Sequence, residues 1–596
     1  MAEQSTEKAV QGGKHIGRVL REDGVEFYAG ITGGHVHPIQ VGMGMAGIKL
    51  LHVRHEQAGA YIADGYARAC GKVGVCIGTA GPGMTNTISG IAHAWQCKSP
   101  VVAIYGQHRT WEDGRPAEHE SYAVQVVAPF TKWTRRIVSP YTIAYFVKKA
   151  VRDALTYPQM PVALEIPLDI LTVRSTQSQQ QGWVPNAYKE PAPQPADEAS
   201  VEAAVKMLLA AARPVIAGGE AIFWSHAEPE LREFVELMNI PVITRRVGRG
   251  AVPEDHPLAF SGRARAQILR AADVVCIVGL NLGYLEGYGA WAARAKLIQI
   301  TESKSDIETT APSEIIIIAS PKSALRQMID CARDLTGGKP APRKEAWLKQ
   351  VDEIKVKDKM RMEEDVTKNL KNIPIHPAVL AKETCDFLDK DATIVLDGYS
   401  ASHFMTERFQ AKHSGAVLDS GPWAGVGHGI GMGIGAQLAK PGKQVCVIMG
   451  DGGMGLDGFD VETAVRAKTP VCYLLSNNCA WIAFAGPLYM KSVPTVGSSD
   501  GYSPFSISPT RYDQVFSAMG AYTERVERPE QIRPALERAF NSGKPSVIDV
   551  VVDPTVPPTM GRQMNLEERV KSMLSSYMDP EDFPDVIRRK YIEKET

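Results

Sequence analysis

Gln444-Val-Cys-Val-Ile-Met-Gly-Asp-Gly-Gly453 is the stretch whose reading decides the fold. The run up to Met449 is apolar without alternation, as in a strand buried on both faces of a parallel sheet. Gly450-Asp451-Gly452-Gly453 then reads as the turn at that strand's carboxyl end, where open α/β sheets bind their ligands. Asp451 offers a hard carboxylate oxygen. A helix-like segment at 460–468 crosses to a second apolar strand, Val471-Cys-Tyr-Leu-Leu475, which runs into Asn477-Asn478. An amide oxygen there completes an oxygen shell around Mg²⁺, and a magnesium-bound diphosphate needs that chemistry at about that separation. A Gly-Asp-Gly alone is an ordinary turn. Strand, Gly-Asp-Gly-Gly, helix, strand and Asn-Asn in that order form a far more specific compound pattern.

Outward from this motif the chain divides into similar units. The motif lies in a unit at 370–556, followed by a tail at 557–596 with an amphipathic run at 566–577 and a charged end. At 15–175, Val25-Glu-Phe-Tyr-Ala-Gly30, Lys49-Leu-Leu-His-Val53, Val73-Gly-Val-Cys-Ile77 and Pro100-Val-Val-Ala-Ile-Tyr105 read as strands, and 55–70 and 86–95 as helices. A Gln-, Pro- and Ala-rich linker occupies 175–200. A further unit carries Pro214-Val-Ile-Ala217, Pro241-Val-Ile-Thr244, Asp273-Val-Val-Cys-Ile-Val278 and Lys296-Leu-Ile-Gln-Ile300, and the charged stretch at 337–364 reads as a connector. The pattern predicts an α/β protein of three tandem doubly wound parallel-sheet domains, at 1–180, 200–340 and 370–556, with a C-terminal tail at 557–596.

Composition agrees with that class. A chain of 596 residues is too long for one core, and 44% apolar with 22% charged residues is ordinary globular usage. A formal net charge of −1 argues against a general nucleic-acid or membrane-surface partner. The nine cysteines include no Cys-x-x-Cys, and Cys76, Cys276, Cys446 and Cys472 lie in apolar runs, so they read as reduced small hydrophobes. The polar start, Met-Ala-Glu-Gln-Ser-Thr-Glu-Lys, and the lack of a long apolar run predict a cytoplasmic protein.

The compound motif resembles the cofactor signature of thiamine diphosphate-dependent enzymes, the group that includes acetolactate synthases, benzaldehyde lyases and 2-hydroxyacyl-CoA lyases. The resemblance spans about residues 10–555 and implies pyrimidine-binding, central and diphosphate-binding domains in that order. It implies Asp451, Asn478 and the backbone carbonyl of Ala480 as Mg²⁺ ligands, with Gly450, Gly452 and Gly453 beside the diphosphate. Arg54-His55-Glu56-Gln57 follows a strand and opens a helix, where the dipole favours a carboxylate. In the family such a glutamate hydrogen-bonds N1′ of the cofactor's aminopyrimidine and promotes the tautomer that deprotonates C2, so Glu56 is the expected catalytic acid–base residue.

Gly78-Thr-Ala-Gly-Pro-Gly-Met-Thr-Asn86 allows close backbone approach, and Asn86 reads as a cap of the next helix. The loop resembles the family's Gly-Pro-Gly turn beside the pyrimidine ring, which makes Gly81, Pro82 and Asn86 cofactor contacts. After Trp423, glycines alternate from Gly425 to Gly435 without Gly-x-Gly-x-x-Gly spacing. The resemblance places a bulky apolar residue under the cofactor there, and Val426 is the candidate, although the family often has Met or Leu.

Within the group the first unit is most similar to benzaldehyde lyase, in Arg54-His55-Glu56, Ala63-Asp-Gly-Tyr-Ala-Arg-Ala69 and Ala128-Pro-Phe-Thr-Lys-Trp133, and the third in Asn-Asn-x-x-Trp481. That similarity implies His35 as the catalytic histidine, with His37 as a second; a loop histidine without a role is the alternative. Glu120, in His119-Glu120-Ser121, aligns near a glutamine of that enzyme. A carboxylate can act as acid or base where an amide only hydrogen-bonds, and a surface position is the alternative. Trp481, Phe484 and Tyr489 line an apolar substrate pocket or pack a core. The sequence after Asn-Asn departs from that of oxalyl-CoA decarboxylase and 2-hydroxyacyl-CoA lyase.

Many relatives hold FAD or an adenine nucleotide in the central unit, next to an acidic residue after its fourth strand. Here Ile300-Thr301-Glu302 stands where an Asp is expected, which weakens the FAD reading and leaves ADP or CoA open. The implied function is a thiamine diphosphate- and Mg²⁺-dependent carbon–carbon lyase or carboligase, acting on a 2-hydroxy ketone or a 2-hydroxyacyl-CoA. An acetolactate synthase-like enzyme acting on a 2-oxo acid is the alternative, and a non-catalytic protein retaining the fold a second. The expected partners are a small-molecule substrate and further copies of the chain, with active sites between subunits and a tetramer as the common assembly. The tail, with Arg562, Arg569 and Lys571, reads as a lid or a docking arm.

Overall fold

The computed structural model describes residues 7–182, 192–307, 311–398, 400–481 and 506–556. The apolar runs form three parallel sheets. The first contains β1 (Phe27–Gly30), β2 (Lys49–His52), β3 (Gly74–Gly78), β4 (Val101–Gln107), β5 (Thr134–Arg136) and β6 (Val162–Pro167), in the spatial order β2-β1-β3-β4-β6-β5. The central sheet contains β7 (Pro214–Gly218), β8 (Val242–Thr244), β9 (Val274–Val278), β10 (Lys296–Thr301) and β11 (Ile315–Ile318), ordered β8-β7-β9-β10-β11. The third contains β12 (Thr393–Leu396), β13 (Val417–Asp419), β14 (Val445–Gly450), β15 (Cys472–Asn477), β16 (Tyr522–Val526) and β17 (Ser546–Val551), ordered β13-β12-β14-β15-β17-β16. The first and third sheets therefore share one strand order, a relationship their sequences do not display. Tyr157-Pro158 and Ile373-Pro374 are cis peptides.

The inner strands of each sheet are covered on both faces, which explains why they are apolar throughout, whereas the edge strands β2, β5 and β16 carry polar residues. In β14, Cys446 and Ile448 enter one core while Val445, Val447 and Met449 enter the other. In β4, Val102 and Ile104 face one way and Val101, Ala103 and Tyr105 the other. Side chains alternate along a strand, so a sheet with helices on both sides needs apolar residues at every position. Each fully buried Val, Leu or Ile contributes roughly 1.5–3 kcal/mol.

Six helices frame the site and join the units: α1 (His37–Met45), α2 (Glu56–Cys70), α3 (Pro82–Gln96), α4 (Glu345–Asn369), α5 (His428–Ala439) and α6 (Asp451–Asp457). Two differ from the sequence expectation, and a third gives a secondary structure to a stretch read only as a connector. The charged connector is largely the helix α4. Its first turns bury Trp347, Leu348 and Val351, the first and last of these in the central core, while Val366 near its other end joins the third. Its Lys- and Glu-rich middle has high helix propensity, and there the buried Asp358 accepts a hydrogen bond of 3.1 Å from the Ala264 N–H of the central unit. α3 begins at Pro82, with Gly81 at φ 58° before it, so Asn86 lies inside the helix and caps nothing. Proline at the first helical position and a glycine at positive φ set the start instead. Finally, Gly450 ends β14 and Asp451-Gly452-Gly453 begins α6, so the motif spans a strand end and a helix start.

The alternating glycines of α5 divide between two neighbours. An added Cβ at Gly433 would come within 2.5 Å of Val447, and one at Gly429 within 2.8 Å of both Val447 and Asp397. At Gly435 and Gly431 it would stand 2.2 Å from the Ile62 carbonyl oxygen and 2.7 Å from the Tyr61 Cβ. Residues four apart share a helix face. One glycine pair lets α5 lie on its own sheet, and the other lets it meet α2 of the first unit backbone to backbone. Phe484, Tyr489 and the tail lie outside the described residues.

Candidate active site in two halves

The first half gathers at the carboxyl ends of β1 to β4. Glu56 opens α2 and is 7% exposed; its Oε2 accepts a hydrogen bond of 3.0 Å from Asn86 Nδ2 on α3. A Cβ at Gly83 would lie 3.3 Å from Glu56 Oε1, so that glycine keeps space beside the carboxylate. The loop after β1 reaches the same place. Gly106 on β4 lacks the Cβ that would strike the His35 backbone at 2.3 Å, and His35 Nδ1 stands 3.2 Å from Thr79 Oγ1. Burial, followed by the charge of His119, holds the His35 imidazole below its ordinary range.

The loop after β4 completes this half. Gln107 Nε2 donates to the Ser121 carbonyl at 3.0 Å, and Ser121 Oγ accepts from the Gly81 N–H at 3.1 Å. His108 is held between Gln107 Oε1 and Asp113 Oδ1, each at 2.7 Å, and Arg136 grips Asp113. Within this braced loop Glu120 accepts from the Gly114 N–H at 2.7 Å, so its carboxylate is used in shaping the loop. The residue presented to His35 is its neighbour His119, with ring centroids 5.6 Å apart. His119 is itself solvent-exposed, and Glu120 only partly so. His37 Nε2 stands 3.2 Å from Thr32 Oγ1 on the exposed side of α1, and no described contact joins it to His35 or Glu56.

The second half forms at the carboxyl ends of β12 to β15. Register places Gly450 opposite Ser476, which brings Asp451 and the Asn pair side by side. Asp451 is buried, and neither of its carboxylate oxygens has a hydrogen-bond partner. The N–H groups of Gly452 and Ala480 face it without satisfying it, and burial pushes its carboxyl up to about 7. An unpartnered buried carboxylate is costly. Asn477 is a strut, donating to Asp549 Oδ1 at 2.9 Å, whereas Asn478 carries its amide into the loop and accepts the Ala480 N–H at 3.2 Å. Trp481 lies over the turn, since a Cβ at Gly452 would meet its ring at 2.6 Å.

These residues fit a hard divalent cation held jointly with a bound diphosphate. Among the described residues no three His, Cys, Asp or Glu side chains form a metal cluster. One carboxylate, one amide oxygen and one carbonyl leave coordination positions for phosphate oxygens, as Mg²⁺ prefers. Asp397, which the sequence reading passed over, anchors the neighbouring loop. Its oxygens accept from the N–H groups of Gly427 at 2.9 Å and Gly429 at 2.7 Å, fixing the start of α5 directly after partly buried Val426. The signal was present, because Leu396-Asp397-Gly398 repeats the strand–Asp–Gly pattern of Gly450-Asp451-Gly452.

In one chain the halves are joined through other residues. The N–H groups of Arg54 and His55 donate to Asp460 of the third unit at 2.8 and 3.2 Å. Arg68 of α2 donates to the Asp419 carbonyl at 2.7 Å, and Arg246 of the central unit binds the Asp419 carboxylate at 2.7 Å. No described hydrogen bond or ion pair links Glu56 to the Asp451 turn.

The central sheet has a crevice between the ends of β7 and β9, where its strand order reverses and where ligands of such sheets bind. It encloses only about 10 Å³. Tyr157 and Lys98 reach across from the first unit to Asp306, and the Tyr157 hydroxyl bonds that carboxylate. Those three side chains, with Glu220 and Trp224, fill the crevice, so its residues as arranged do not fit a nucleotide.

Family-level comparison agrees with this three-part layout. Residues 10–126 match the thiamine pyrophosphate enzyme N-terminal TPP-binding domain, 201–328 the central domain and 400–550 the C-terminal TPP-binding domain. The chain is 32% identical over 553 residues to a probable acetolactate synthase of Mycobacterium bovis, covering 92% of this chain and 97% of that one. It is 29% identical over 572 residues to a probable acetolactate synthase large subunit of Methanococcus aeolicus, covering 92% of each. It is also 26% identical over 566 residues to 2-hydroxyacyl-CoA lyase 1 of Mus musculus, covering 92% of this chain and 95% of that one.

Proposed function

Because this chain belongs to the thiamine pyrophosphate enzyme family, we propose that it is a Mg²⁺-dependent carbon–carbon lyase or carboligase acting on a 2-hydroxy ketone or a 2-hydroxyacyl-CoA. The bound cofactor supplies a carbon nucleophile for a substrate carbonyl. Glu56, seated by Asn86, holds a proton at the edge of the cofactor's aminopyrimidine ring. Asp451, Asn478 and the Ala480 carbonyl hold Mg²⁺, with Gly450, Gly452 and Gly453 admitting the diphosphate. Gly81, Pro82 and Val426 border the rings, and Trp481 borders the diphosphate turn. On this reading 1–180, 200–340 and 370–556 are the pyrimidine-binding, central and diphosphate-binding domains.

The observation that favours a hydroxy ketone or hydroxyacyl-CoA is the placing of an imidazole, His35, beside the Glu56 half of the site. Breaking a carbon–carbon bond next to a hydroxyl requires a base for the hydroxyl proton, which a neutral imidazole provides near neutral pH. Identity to the acetolactate synthases favours the second reading, condensation of 2-oxo acids. Purified protein with thiamine diphosphate and Mg²⁺ should cleave benzoin, another acyloin or a 2-hydroxyacyl-CoA to an aldehyde. Turnover of pyruvate alone would establish the second reading instead.

Both halves of the proposed site stand beside exposed apolar side chains: Val41 and Met45 on α1, Leu456 on α6 and Phe459 just after it. Such patches are expected where subunits meet. We assign the active site to a dimer in which the first unit of one chain faces the third unit of another, and a monomeric active enzyme would contradict this. The compartment stays with the sequence expectation; among the described residues no helix is long and apolar enough to cross a membrane.

A further inference from the structure

We propose that Asp549 is a positioning residue of the metal site: through Asn477 it fixes the kink that presents Asn478 and Ala480 to Mg²⁺. This rests on the Mg²⁺ reading of the Asp451 turn. β17 is apolar apart from Ser546 and Asp549, and Asp549 is fully buried. A carboxylate in such a strand is costly unless its oxygens are engaged. Here both are engaged: Oδ1 accepts from Asn477 Nδ2 at 2.9 Å, and Oδ2 accepts from Arg525 Nη1 at 2.7 Å.

Strand register brings the three side chains together. Arg525 on β16 is the direct neighbour of Asp549 on β17, whose neighbour on β15 is Leu475. Asn477 lies two residues beyond Leu475 and so on the same face, which carries its amide to the carboxylate at the strand's end. Arg525 is held in turn by Glu527 at 2.8 Å. A line of contacts therefore runs from the partly exposed Arg525 through Asp549 and Asn477 into the metal loop.

Asn477 has no capacity to spare for a metal. An amide offers two N–H donors and one oxygen with two lone pairs. Nδ2 serves Asp549 and also reaches the Thr510 carbonyl at 3.4 Å, while Oδ1 accepts from the Cys479 N–H at 3.3 Å and the Cys479 thiol at 3.5 Å. Cys479 is at φ 53°, uncommon for a residue with a side chain. That kink lies between Asn478 and Ala480, the two expected ligands of this loop, so their directions depend on it. Asp549, oriented by Arg525, fixes the Asn477 amide, and the amide holds the kink. Partners that orient metal ligands from behind are worth roughly 10–100-fold in metal affinity.

The test needs no substrate. Calorimetric titration of thiamine diphosphate into the full-length protein at a series of Mg²⁺ concentrations gives the half-saturating Mg²⁺. That concentration should rise roughly 10–100-fold in D549A, and less in D549N, whose amide oxygen still accepts from Asn477. N477A should match D549A, and the double variant should be no worse than either, since both break one strut. In turnover, kcat at saturating Mg²⁺ should fall far less than the affinity. A D549A that melts lower but keeps the wild-type half-saturating Mg²⁺ overturns the positioning role, and so does an additive double variant. If D549A does not fold, D549N and N477A decide by the half-saturating Mg²⁺ in the same way. A wild-type protein that binds the cofactor equally well without Mg²⁺ would sink the metal reading and this role with it. A Mg²⁺-dependent wild type with unaltered variants would sink Asp549 alone.

Discussion

Asp419 and Asp451 sit at the same edge of the third sheet, and their surroundings are opposite. Asp419, the last residue of β13, lies between the guanidinium groups of Arg68 and Arg246 at 3.3 and 2.7 Å. Burial alone would raise its pKa, but the two cations, Arg246 first, hold it down at about 2. Asp451, just beyond β14, has no partner and is pushed up to about 7. One carboxylate is consumed in joining the three units, and the other is left incomplete by the protein. The difference teaches how to tell a structural buried charge from a binding one: a structural charge arrives with its counter-ions, and a binding charge waits for them.

Replacing each residue should separate the two roles. Asp451→Asn should abolish turnover and Mg²⁺-dependent cofactor binding, with an apoprotein melting temperature at or above that of wild type. Calorimetry and thermal melts would show this, and retained Mg²⁺-dependent binding would remove Asp451 from the metal site. Asp419→Asn should do the reverse, leaving Arg68, only 1% exposed, and Arg246 without a carboxylate between them. Arg68 keeps the Asp64 carboxylate at 3.8 Å, so the charge left unpaired is that of Arg246, at a cost of about 3–5 kcal/mol. Urea unfolding at wild-type stability would mean that the ion cluster carries no load.

A smaller effect tests the same joint through packing. Gly435→Ala puts a methyl group where the Ile62 carbonyl oxygen already stands 2.2 Å from the ideal Cβ. The helices must separate, at a cost of about 1–3 kcal/mol. Gly442→Ala serves no such test, because its φ of 76° strains any side chain even in open space. If Gly435→Ala melts like wild type, α2 and α5 are not held at backbone contact, and the linkage falls to the Asp419 cluster and to the Arg54 and His55 bonds to Asp460.

Legibility in the sequence divides along the same line. The Asp451 turn was readable because strand, turn and strand are contiguous in the chain, and parallel register then brings Gly450 and Ser476 together automatically. Glu56 was readable as a residue opening a helix after a strand. Asp419 and its arginines were not, because Arg68, Arg246 and Asp419 come from three units and nothing local announces their meeting. The glycine run was seen but not understood, since its two faces exist only once α5 has α2 on one side and β14 on the other. That the His119 ring, and not the Glu120 carboxylate, meets His35 has the same origin, a loop fixed by distant Gln107, Arg136 and Asp169.

The finest test is pH. An unfolded Asp titrates near 3.8, while folded apoprotein keeps the Asp451 proton up to about 7. Between these values the folded state binds a proton that the unfolded state has released, so this group makes apoprotein less stable as pH rises through that window. Mg²⁺ must displace that proton to bind. Its apparent affinity should therefore fall about tenfold from pH 6.5 to 5.5, the full slope of one competing proton, and level off above pH 8. Asp419 has the opposite sign: held at about 2, it contributes stability that is fully present above about pH 4 and lost as pH falls toward 2, so it is silent across this range. Melting temperatures with and without Mg²⁺ and thiamine diphosphate, taken at half-unit steps from pH 5.5 to 8.5, isolate Asp451. A metal-induced gain that does not grow with pH would show that the cation is bound without displacing a proton, and that the lone carboxylate is already ionised before the metal arrives.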